Sequence, residues 1–449
     1  MWLADLEAAR IAILGAGREG QAAYAWLRKR LPHTALTLLV ESTADPVFTG
    51  SLRSGDRLFH EPLNAERLRS FDTLIRSPGI SVYRQPLRAA LDAGVRITTA
   101  SNLWFAAHPS AQTICITGTK GKSTTSALVA HLLQSCGCQV RLAGNIGLPL
   151  LACDDQGVDW WVIELSSYQI ADLEAAPTIA VILNFSPEHL DWHGSESVYR
   201  RDKLRLAALA GQGTLIVNGS DVELAGDLAA AANVTWFNTA AGIHVVDQRL
   251  FDRNIPLPVS MPPGLPGRHN LLNAAAALTA VGAAGLDVQQ ASLAVASFKS
   301  LPHRLQVLGQ RQGVTYINDS IASTPVATVA ALEALQDRPI VLILGGMDRG
   351  LDWSRYAAAF VQASLRAVIG LPANGPRIIA TLRQAGIAPA SGFHEVVDLP
   401  SAVALARELA TAGDTVLLSP GAPSFPQFID FRDRGQAFAR VCGFAEIVE

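Results

Sequence analysis

A glycine- and lysine-rich segment at residues 116–124 carries the clearest signal for chemistry in this sequence. It follows an apolar run and precedes a helical pattern, the setting of a phosphate-binding loop. In such a loop backbone N–H groups point at phosphate oxygens, Lys122 reaches the terminal phosphates and the Ser123 hydroxyl can ligate Mg²⁺. Ile116 stands where the full motif has its first glycine, so a plain glycine turn stays an alternative. The residues predicted to hold the phosphates are Gly118, Thr119, Lys120, Gly121, Lys122, Ser123 and Thr124.

A second glycine turn lies near the N-terminus, at Gly15-Ala16-Gly17-Arg18-Glu19-Gly20, and Glu41 follows 21 residues after Gly20. This spacing is typical of a dinucleotide-binding fingerprint, with the acidic residue on a ribose hydroxyl. It also fits another diphosphate nucleotide, or a tight turn alone. A hydride-transfer enzyme needs only this turn and a simple ATPase needs only residues 116–124. A ligase that joins a nucleotide-linked substrate at the expense of ATP needs both.

Candidate metal ligands follow two apolar runs after the lysine-rich loop. Glu164 ends the first run, and His189 and Asp191 follow the second. Because Mg²⁺ prefers oxygen ligands, Glu164 is the stronger candidate, and His189 taken alone could be structural. Lys203 lies in a charged run and, taken alone, reads as a solvated helix lysine.

Strands alternate with helical patterns along the whole chain, which predicts an α/β fold with parallel sheets. Three regions separate, with expected domains at residues 1–108, 109–300 and 301–449. A long alanine-rich helix is expected at residues 267–286. The expected strands are residues 10–14, 36–40 and 95–98, then 113–116, 160–164 and 179–183, then 314–317, 340–344 and 415–418.

Composition limits the class of protein. The chain has 449 residues, 49% hydrophobic and 17% charged, with a formal net charge of −3. That excludes a disordered chain and gives no basic excess for nucleic acid or an anionic membrane. Five dispersed cysteines predict reduced thiols, and the first residues lack the basic start of a signal peptide. We expect a cytoplasmic enzyme, a monomer, with no nucleic-acid or membrane partner.

Taken together, the motifs resemble the Mur ligase family, the ATP-dependent amide-forming enzymes of peptidoglycan synthesis, over essentially the whole chain. The segments that carry the resemblance are residues 117–124, 144–147, 164–169, 189–191, 199–204, 267–270, 301–304 and 318–320, with Asn273. Within the family the chain is most similar to the glutamate-adding members. That similarity rests on residues 77–80 and 145–149, Ser419-Pro420, Ser424, Gln427-Phe428 and Phe431.

The resemblance implies three α/β domains: an N-terminal Rossmann-like domain for a UDP-linked substrate, a central P-loop ATPase domain and a C-terminal Rossmann-like domain for the amino acid. It implies UDP-N-acetylmuramoyl-L-alanine, glutamate and ATP as substrates, with Mg²⁺. ATP would phosphorylate the substrate carboxylate to an acyl phosphate, which the amino group of glutamate then attacks.

The resemblance also implies roles for individual residues. Lys122, His189 and Lys203 would be catalytic, and the metal ligands would be Ser123 and Glu164 on one Mg²⁺ and His189 with Lys203 on a second. The family's lysine at the Lys203 position is carbamylated. Asn270 would contact adenine, and Arg304 and Asp319 the phosphates and ribose of ATP. The UDP-substrate would be bound by Gly17, Arg18, Glu19, Glu41, Ser77, Gly79, Asn145 and Ser166. Glutamate would be bound by Ser323, Arg349, Ser424 and Phe431.

Two positions depart from the usual glutamate-ligase pattern. Ile321 replaces a lysine, and Arg349 replaces the lysine of the later Asp-Lys-Gly. Isoleucine cannot hold a carboxylate, whereas arginine can do so bidentately. Because a branch of the family that resembles this sequence adds L-glutamate, we favour L-glutamate over D-glutamate.

Three other classes remain open at this point. A folylpolyglutamate-synthetase-like ligase shares the ATPase and C-terminal domains but lacks the N-terminal one, so residues 15–20 and 77–80 argue against it. An NAD-dependent oxidoreductase would leave Lys122, Glu164 and Arg304 without a role. A non-catalytic nucleotide-binding regulator would show no substrate-dependent phosphate release that Lys122→Ala could abolish.

Overall fold

The computed structural model describes residues 4–41, 52–262, 264–265, 267–336 and 338–447. The chain forms two compact units, Met1–Val259 with Leu271–Val295, and Ser260–Asn270 with Ala296–Glu449. The first unit contains two parallel sheets and one small antiparallel sheet, and the second contains one mixed sheet.

The first sheet has five parallel strands in the order β3-β2-β1-β4-β5. All four residues of β1 are buried, as expected for a strand covered by helices on both faces. The strands are β1 (Ile11–Leu14), β2 (Leu36–Val40), β3 (Arg57–His60), β4 (Thr73–Arg76) and β5 (Arg96–Thr99). The helices are α1 (Ala4–Glu7), α2 (Arg18–Arg30), α3 (Ala65–Arg69), α4 (Gln85–Asp92) and α5 (Ala100–Ala107).

The second sheet has six parallel strands in the order β11-β10-β9-β6-β8-β7. Its strands are β6 (Thr113–Thr117), β7 (Val140–Gly144), β8 (Trp160–Glu164), β9 (Ile179–Ile182), β10 (Thr214–Asn218) and β11 (Val234–Phe237). A small antiparallel sheet follows, with β12 (Ile243–Val246), β13 (Arg249–Asp252) and β14 (Ile255–Pro256). The helices are α6 (Lys122–Ser135), α7 (Ser167–Ile170), α8 (Leu190–His193), α9 (Glu196–Ala210), α10 (Val222–Leu228), α11 (Arg268–Ala283) and α12 (Val288–Leu293).

The third sheet has six strands in the order β15-β16-β20-β17-β18-β19, and only its edge strand β15 runs antiparallel. Its strands are β15 (Gln306–Arg311), β16 (Val314–Asn318), β17 (Ile340–Leu344), β18 (Leu365–Gly370), β19 (Phe393–Glu395) and β20 (Thr415–Leu418). Its helices are α13 (Pro325–Ala334), α14 (Ala357–Gln362), α15 (Gly375–Gln384), α16 (Leu399–Leu409) and α17 (Phe431–Cys442).

The structure confirms the predicted α/β fold class. Each strand expected from the sequence is present, and β2, β8, β17 and β20 have the predicted ends. Among the described residues, the strands that were not predicted are β3, β4, β7, β10, β11, the small sheet β12–β14, the edge strand β15, β18 and β19. The division at residues 108 and 300 stays a prediction. All five cysteines are free thiols, and no described helix is long and apolar enough to cross a membrane.

Ligands of parallel α/β sheets bind beyond the carboxyl ends of the strands. In the first unit the glycine turn follows β1, and the lysine-rich loop follows β6. Glu164 closes β8 at the same edge of the second sheet. In the second unit Asp319 follows β16 and Ser419 follows β20. The topology therefore brings most of the predicted site residues to the ligand-binding edges of their sheets.

Candidate active site

The lysine-rich loop connects β6 to α6, as the sequence predicted. Gly121 has φ +82° at the N-cap of α6, a left-handed conformation that glycine adopts without strain. The Lys122 ammonium donates to the carbonyl oxygens of Gly118 at 2.9 Å and Thr119 at 3.0 Å, so it lies over the loop. Lys120 pairs with Glu188 at 2.6 Å. Backbone amides, helix N-terminus and lysine are therefore arranged for a polyphosphate.

Glu164 presents a carboxylate oxygen that suits a cation. The residue is 1% exposed, and its Oε1 accepts a hydrogen bond from the Asn145 amide at 2.6 Å. Its Oε2 is buried and has no hydrogen-bond partner in the described part of the chain. An ionised, buried oxygen without a partner is costly unless a charge is placed against it. The donor chemistry fits Mg²⁺, which takes carboxylate and hydroxyl oxygens. Asn145, predicted to bind the UDP-substrate, therefore also orients this carboxylate.

Lys203 is buried, which corrects the sequence-based interpretation of a solvated lysine. It lies on α9 at 1% exposure, and its ammonium is 5.0 Å from the centroid of the Tyr199 ring. Burial lowers its pKa well below the usual lysine value, and Lys122 lowers it further while Glu188 acts in the opposite direction. A lowered pKa favours the neutral amine, which is the form of lysine that reacts with CO₂ to give a carbamate.

His189 lies close to the same lysines. It adopts φ +56° at the N-cap of α8, and its ring centroid is 5.0 Å from that of Tyr168. Burial is the largest cause that lowers its pKa; Lys122 and Lys203 lower it too, and Glu188 and Asp191 oppose them. The imidazole is therefore neutral near pH 7 and able to act as a metal ligand. The described residues contain no cluster of three or more His, Cys, Asp or Glu placed to hold a metal.

The N-terminal glycine turn has one tight end and one open position. Gly15 has φ +90°, and a Cβ there would lie 3.0 Å from the Ser77 hydroxyl. A Cβ at Gly20 would overlap the Gly15 carbonyl oxygen and lie 3.0 Å from its carbon. A Cβ at Gly17 or Gly79 would meet no atom within 4 Å. The turn is thus closed where the helix crosses the strand and open where a ligand would approach.

The charged residues of this turn contact the loops that follow β7 and β8. The Arg18 guanidinium donates to the Gly147 carbonyl oxygen, and Glu19 accepts from the Gln169 amide at 3.1 Å. Gln169 in turn forms a capping box with Ser166, the N-cap of α7. Burial raises the pKa of Glu19 to about 7, against the opposing effect of Gln169. Two predicted UDP-substrate residues, Glu19 and Ser166, are therefore joined through Gln169 in one polar network.

Glu41, predicted to bind a ribose hydroxyl, pairs bidentately with Arg84 at 2.5 and 2.9 Å. It also accepts from the backbone N–H of Leu63 at 3.1 Å. The arginine is the largest cause that lowers the pKa of Glu41. Its carboxylate is therefore ionised and would have to share its oxygens between Arg84 and a ribose.

Arg76, which was not predicted from the sequence, holds in place the loop that carries Ser77 and Gly79. Its side chain is 0% exposed and pairs bidentately with Asp172 at 2.7 and 3.0 Å. It also donates to the carbonyl oxygens of Tyr168, Ser77, Pro78 and Ile80 at 2.6 to 3.2 Å. Because Arg76 and Asp172 are 96 residues apart, no local sequence signal could have identified the pair.

In the second unit Asp319 occupies a buried site at the end of β16. It accepts from the Ser419 hydroxyl at 2.8 Å and from the Leu305 backbone N–H at 3.1 Å. Burial raises its pKa to about 7, while these hydrogen bonds and the charges of Arg304 and Arg434 oppose the rise. Asn270, the predicted adenine contact, is 4% exposed. Arg304 and Asp319 are thus neighbours within this unit, as expected for two residues that share a ligand.

Two of the predicted glutamate residues, Ser424 and Phe431, lie on segments that are connected to a second buried guanidinium, that of Arg434. Arg434, at 1% exposure, donates to the Ser320 hydroxyl, the Ser320 carbonyl and the Ala422 carbonyl at 2.8 to 3.0 Å. It thereby ties residues 318–320 to the loop that contains Ser424, which is 5% exposed. Phe431 begins α17, and its backbone carbonyl accepts from the Ser320 hydroxyl at 2.8 Å.

Arg349 lies apart from the buried part of this region. It is exposed and forms no ion pair or hydrogen bond with the residues that the structure describes. The preceding Asp348 is held by Arg377 in a bidentate pair at 2.6 and 2.7 Å, which lowers its pKa. Ser323 and Ile321 are half-buried. The guanidinium of Arg349 is therefore available to an incoming carboxylate.

Comparisons with known proteins agree with this arrangement. The Mur ligase middle domain matches residues 116–281, and the Mur ligase glutamate ligase domain matches residues 303–421. A UDP-N-acetylmuramoyl-L-alanine--L-glutamate ligase from Xanthomonas axonopodis pv. citri is 42% identical, over 99% of this chain and 97% of its own length. A protein of the same name from Micromonospora is 39% identical, over 98% and 97% of the two chains.

Solved structures share the fold. The MurF ligase from Thermotoga maritima in complex with ADP has a TM-score of 0.62 at 16% identity, covering 98% of each chain. The UDP-N-acetylmuramate-alanine ligase from Thermotoga maritima has a TM-score of 0.61 at 19% identity, covering 96% of this chain and 98% of its own.

Proposed function

The chain belongs to the Mur ligase family of ATP-dependent ligases, and on that premise we propose that it joins L-glutamate to UDP-N-acetylmuramoyl-L-alanine. The reaction forms an amide through an acyl phosphate, in the synthesis of peptidoglycan precursors. Relatives that carry this name share 39–42% of their residues with it over nearly the full length. An enzyme that uses ATP and a UDP-linked precursor needs the compartment that holds them, so the proposal includes a cytoplasmic location.

One observation carries the proposal. A buried carboxylate oxygen of Glu164, without a hydrogen-bond partner among the described residues, lies at the ligand-binding edge of the sheet that carries the Lys122 loop, and burial and the charge of Lys122 lower the pKa of the buried Lys203. The reaction of a dinucleotide-dependent oxidoreductase does not require a buried carboxylate together with two lysines. A phosphoryl-transfer site needs it, because anionic oxygens must approach one another there.

The residues around the Lys122 loop have separate roles in binding ATP and Mg²⁺. Lys122 and the amides of its loop hold the terminal phosphates of ATP and stabilise the charge that grows during transfer. Ser123 and Glu164 would hold one Mg²⁺, and His189 with a carbamylated Lys203 a second. When bound, these ions neutralise the phosphate and carboxylate oxygens. Asn145 keeps the Glu164 carboxylate in place through its 2.6 Å hydrogen bond.

The UDP-linked substrate would lie against the open side of the N-terminal turn, at Gly17 and Gly79. The network of Glu19, Gln169 and Ser166 connects that turn with the strand end at Glu164, so the reacting carboxylate and the nucleotide end share one framework. The proposal also includes residues 1–108, 109–300 and 301–449 as the UDP-substrate, ATP and amino-acid domains.

For the amino acid, we propose that Arg349 binds a carboxylate of glutamate where Ile321 cannot. Ser323, Ser424 and Phe431 complete this site, with Arg304 and Asp319 on ATP. L-Glutamate is favoured because relatives that are 39–42% identical to this chain carry that isomer in their names.

The deciding experiment measures phosphate release with ATP, Mg²⁺ and UDP-N-acetylmuramoyl-L-alanine, adding each glutamate enantiomer in turn. We expect L-glutamate to stimulate release and to appear in the product by mass spectrometry. Turnover of D-glutamate alone would refute the stereochemical part. Absence of phosphate release with both enantiomers would refute the ligase itself.

A further inference from the structure

The loop that follows β4 touches the second sheet's helices at several separate points. Beyond the bonds of Arg76, the Ser81 hydroxyl donates to the Trp192 carbonyl at 2.7 Å, and the Trp192 indole donates to the Pro78 carbonyl at 3.1 Å. These bonds hold the segment with Ser77 and Gly79 against α8. They do not reach the helix that carries Lys203.

Tyr83, at the end of the same loop, does reach that helix. Its hydroxyl lies 2.6 and 2.7 Å from the two carboxylate oxygens of Asp202, the residue before Lys203 on α9. The Arg201 guanidinium donates to the Tyr83 hydroxyl at 2.7 Å and to Asp202 at 3.1 Å. The Tyr83 ring packs edge-on against Trp192 at 5.8 Å, so its position does not depend on the hydroxyl alone.

From Asp202 the hydrogen bonds continue inward. The His193 ring, whose side chain is 0% exposed, makes a 2.8 Å bond from Nδ1 to Asp202 and a 3.0 Å bond from Nε2 to the Ser167 hydroxyl. The carboxylate can only accept, so Nδ1 donates in the bond to Asp202, and the Ser167 hydroxyl is the partner of Nε2. Ser167 follows Ser166, the N-cap of α7 at the end of β8. The chain Tyr83–Asp202–His193–Ser167 thus links the substrate loop to two elements of the ligase site.

We propose that Tyr83 and Asp202 are positioning residues for the reaction. They fix α9, and with it Lys203, relative to the loop expected to hold the UDP-linked substrate. This inference rests on the proposed function. The Asp202 carboxylate is 3% exposed and receives hydrogen bonds from three side chains. Such a saturated, buried acceptor holds its partners in one geometry more strictly than a solvated ion pair would.

Tyr83→Phe tests the proposal, because it removes the hydroxyl and keeps the ring against Trp192. We expect kcat for L-glutamate-dependent phosphate release to fall about tenfold, since a hydrogen bond to a buried charged acceptor is lost. KM for the UDP-linked substrate and for ATP should stay within about twofold, because neither ligand is expected to touch Tyr83. Asp202→Asn should lower kcat further.

Ser81→Ala is the matched control. It removes a 2.7 Å hydrogen bond between the same loop and the same set of helices, but outside the chain through Asp202. We expect a fall in Tm similar to that of Tyr83→Phe, with kcat within about twofold of the parent. The double variant Tyr83→Phe/Asp202→Asn should be no slower than Asp202→Asn alone, because both changes break one chain.

The outcomes distinguish a failure of the proposed ligase function from a failure of the positioning role of Tyr83 and Asp202. A parent enzyme with no glutamate-dependent phosphate release refutes the proposed function. An active parent in which Tyr83→Phe and Ser81→Ala have the same kcat refutes the positioning role, and so does an additive double variant. A rise in KM for the UDP-linked substrate at constant kcat would make Tyr83 a binding residue instead.

Discussion

Gly17→Ala gives a sharp test of the N-terminal turn, because the structure separates its effect on stability from its effect on binding. Gly17 has φ −70° and ψ −177°, values that alanine adopts without strain, and a Cβ there would touch nothing within 4 Å. Replacing an N-cap glycine with alanine lowers the free energy of unfolding by roughly 0.5 kcal/mol. The reduced flexibility of the unfolded chain raises it by about 0.4–1 kcal/mol. The net change in unfolding free energy should therefore be smaller than about 1 kcal/mol in either direction, so Tm should shift by at most about 2–4 °C.

Binding should change much more than stability. The methyl group would occupy the space by which a diphosphate approaches the backbone of the turn, so the ligand must move away from the N–H groups. We expect KM for the UDP-linked substrate to rise at least about tenfold, which is about 1.4 kcal/mol. KM for ATP should stay unchanged. Both are measured by phosphate release, and Tm is measured by circular dichroism.

Gly20→Ala is the matched control, since its Cβ would overlap the Gly15 carbonyl. It should lower Tm by several degrees, because β1 or α2 must shift. If Gly17→Ala leaves KM for the UDP-linked substrate unchanged in a protein of parental Tm, the turn does not bind that substrate. If Gly20→Ala leaves Tm unchanged, the packing argument for this turn is wrong.

Three further predictions concern other parts of the site. Mg²⁺ and ATP should stabilise the parent by about 2.7 kcal/mol at a hundredfold excess over Kd, which raises its Tm. Glu164→Gln should abolish this rise in Tm, and an equal rise in the variant would exclude Glu164 as a ligand. Arg349→Ala should raise KM for glutamate at least about tenfold with KM for ATP unchanged, and the exposed Arg355→Ala serves as control. Glu19→Gln should change the pH dependence of stability. Because the folded pKa of Glu19 is raised to about 7, its contribution is present below its unfolded value of 4.5 and is lost as pH rises through 7. In urea unfolding, the variant should therefore gain up to roughly 3 kcal/mol on the parent between pH 4.5 and pH 8, and parallel pH profiles would contradict this.

The sequence predicted the elements that have strong local patterns. The apolar runs of β8, β17 and β20 have the predicted ends, because fully buried parallel strands are continuous apolar segments. The loop before Lys122 and the strand-end position of Glu164 followed from the same pattern. The strands β12–β14 were missed because most of their residues are exposed or only partly buried, so they contain no continuous apolar run. The antiparallel edge strand β15 has mixed burial and therefore no clear alternation.

Long-range polar pairs could not be predicted in the same way. Residues 200–203 are four consecutive charged side chains, a pattern typical of a solvated helix face. The structure buries Asp202 and Lys203 of this run and leaves Arg201 exposed. Asp202 is buried against Tyr83, which is 119 residues away in the sequence, and against His193. Lys203 lies over the Tyr199 ring and close to Lys122, which is distant in the sequence. Those partners are known only once the chain has folded.

The buried guanidinium of Arg76 limits how this protein can be recombined with its relatives. A chimera that takes its first hundred or so residues from another ligase would replace Arg76 and its loop but keep Asp172 and the Tyr168 carbonyl. Unless the donor supplied a matching cation, the carboxylate of Asp172 would lose the bidentate partner that neutralises it, a cost of about 3–5 kcal/mol. Exchange of this N-terminal segment would therefore succeed only when the donor supplies such a cation or when residues 168–172 are exchanged together with residues 76–83.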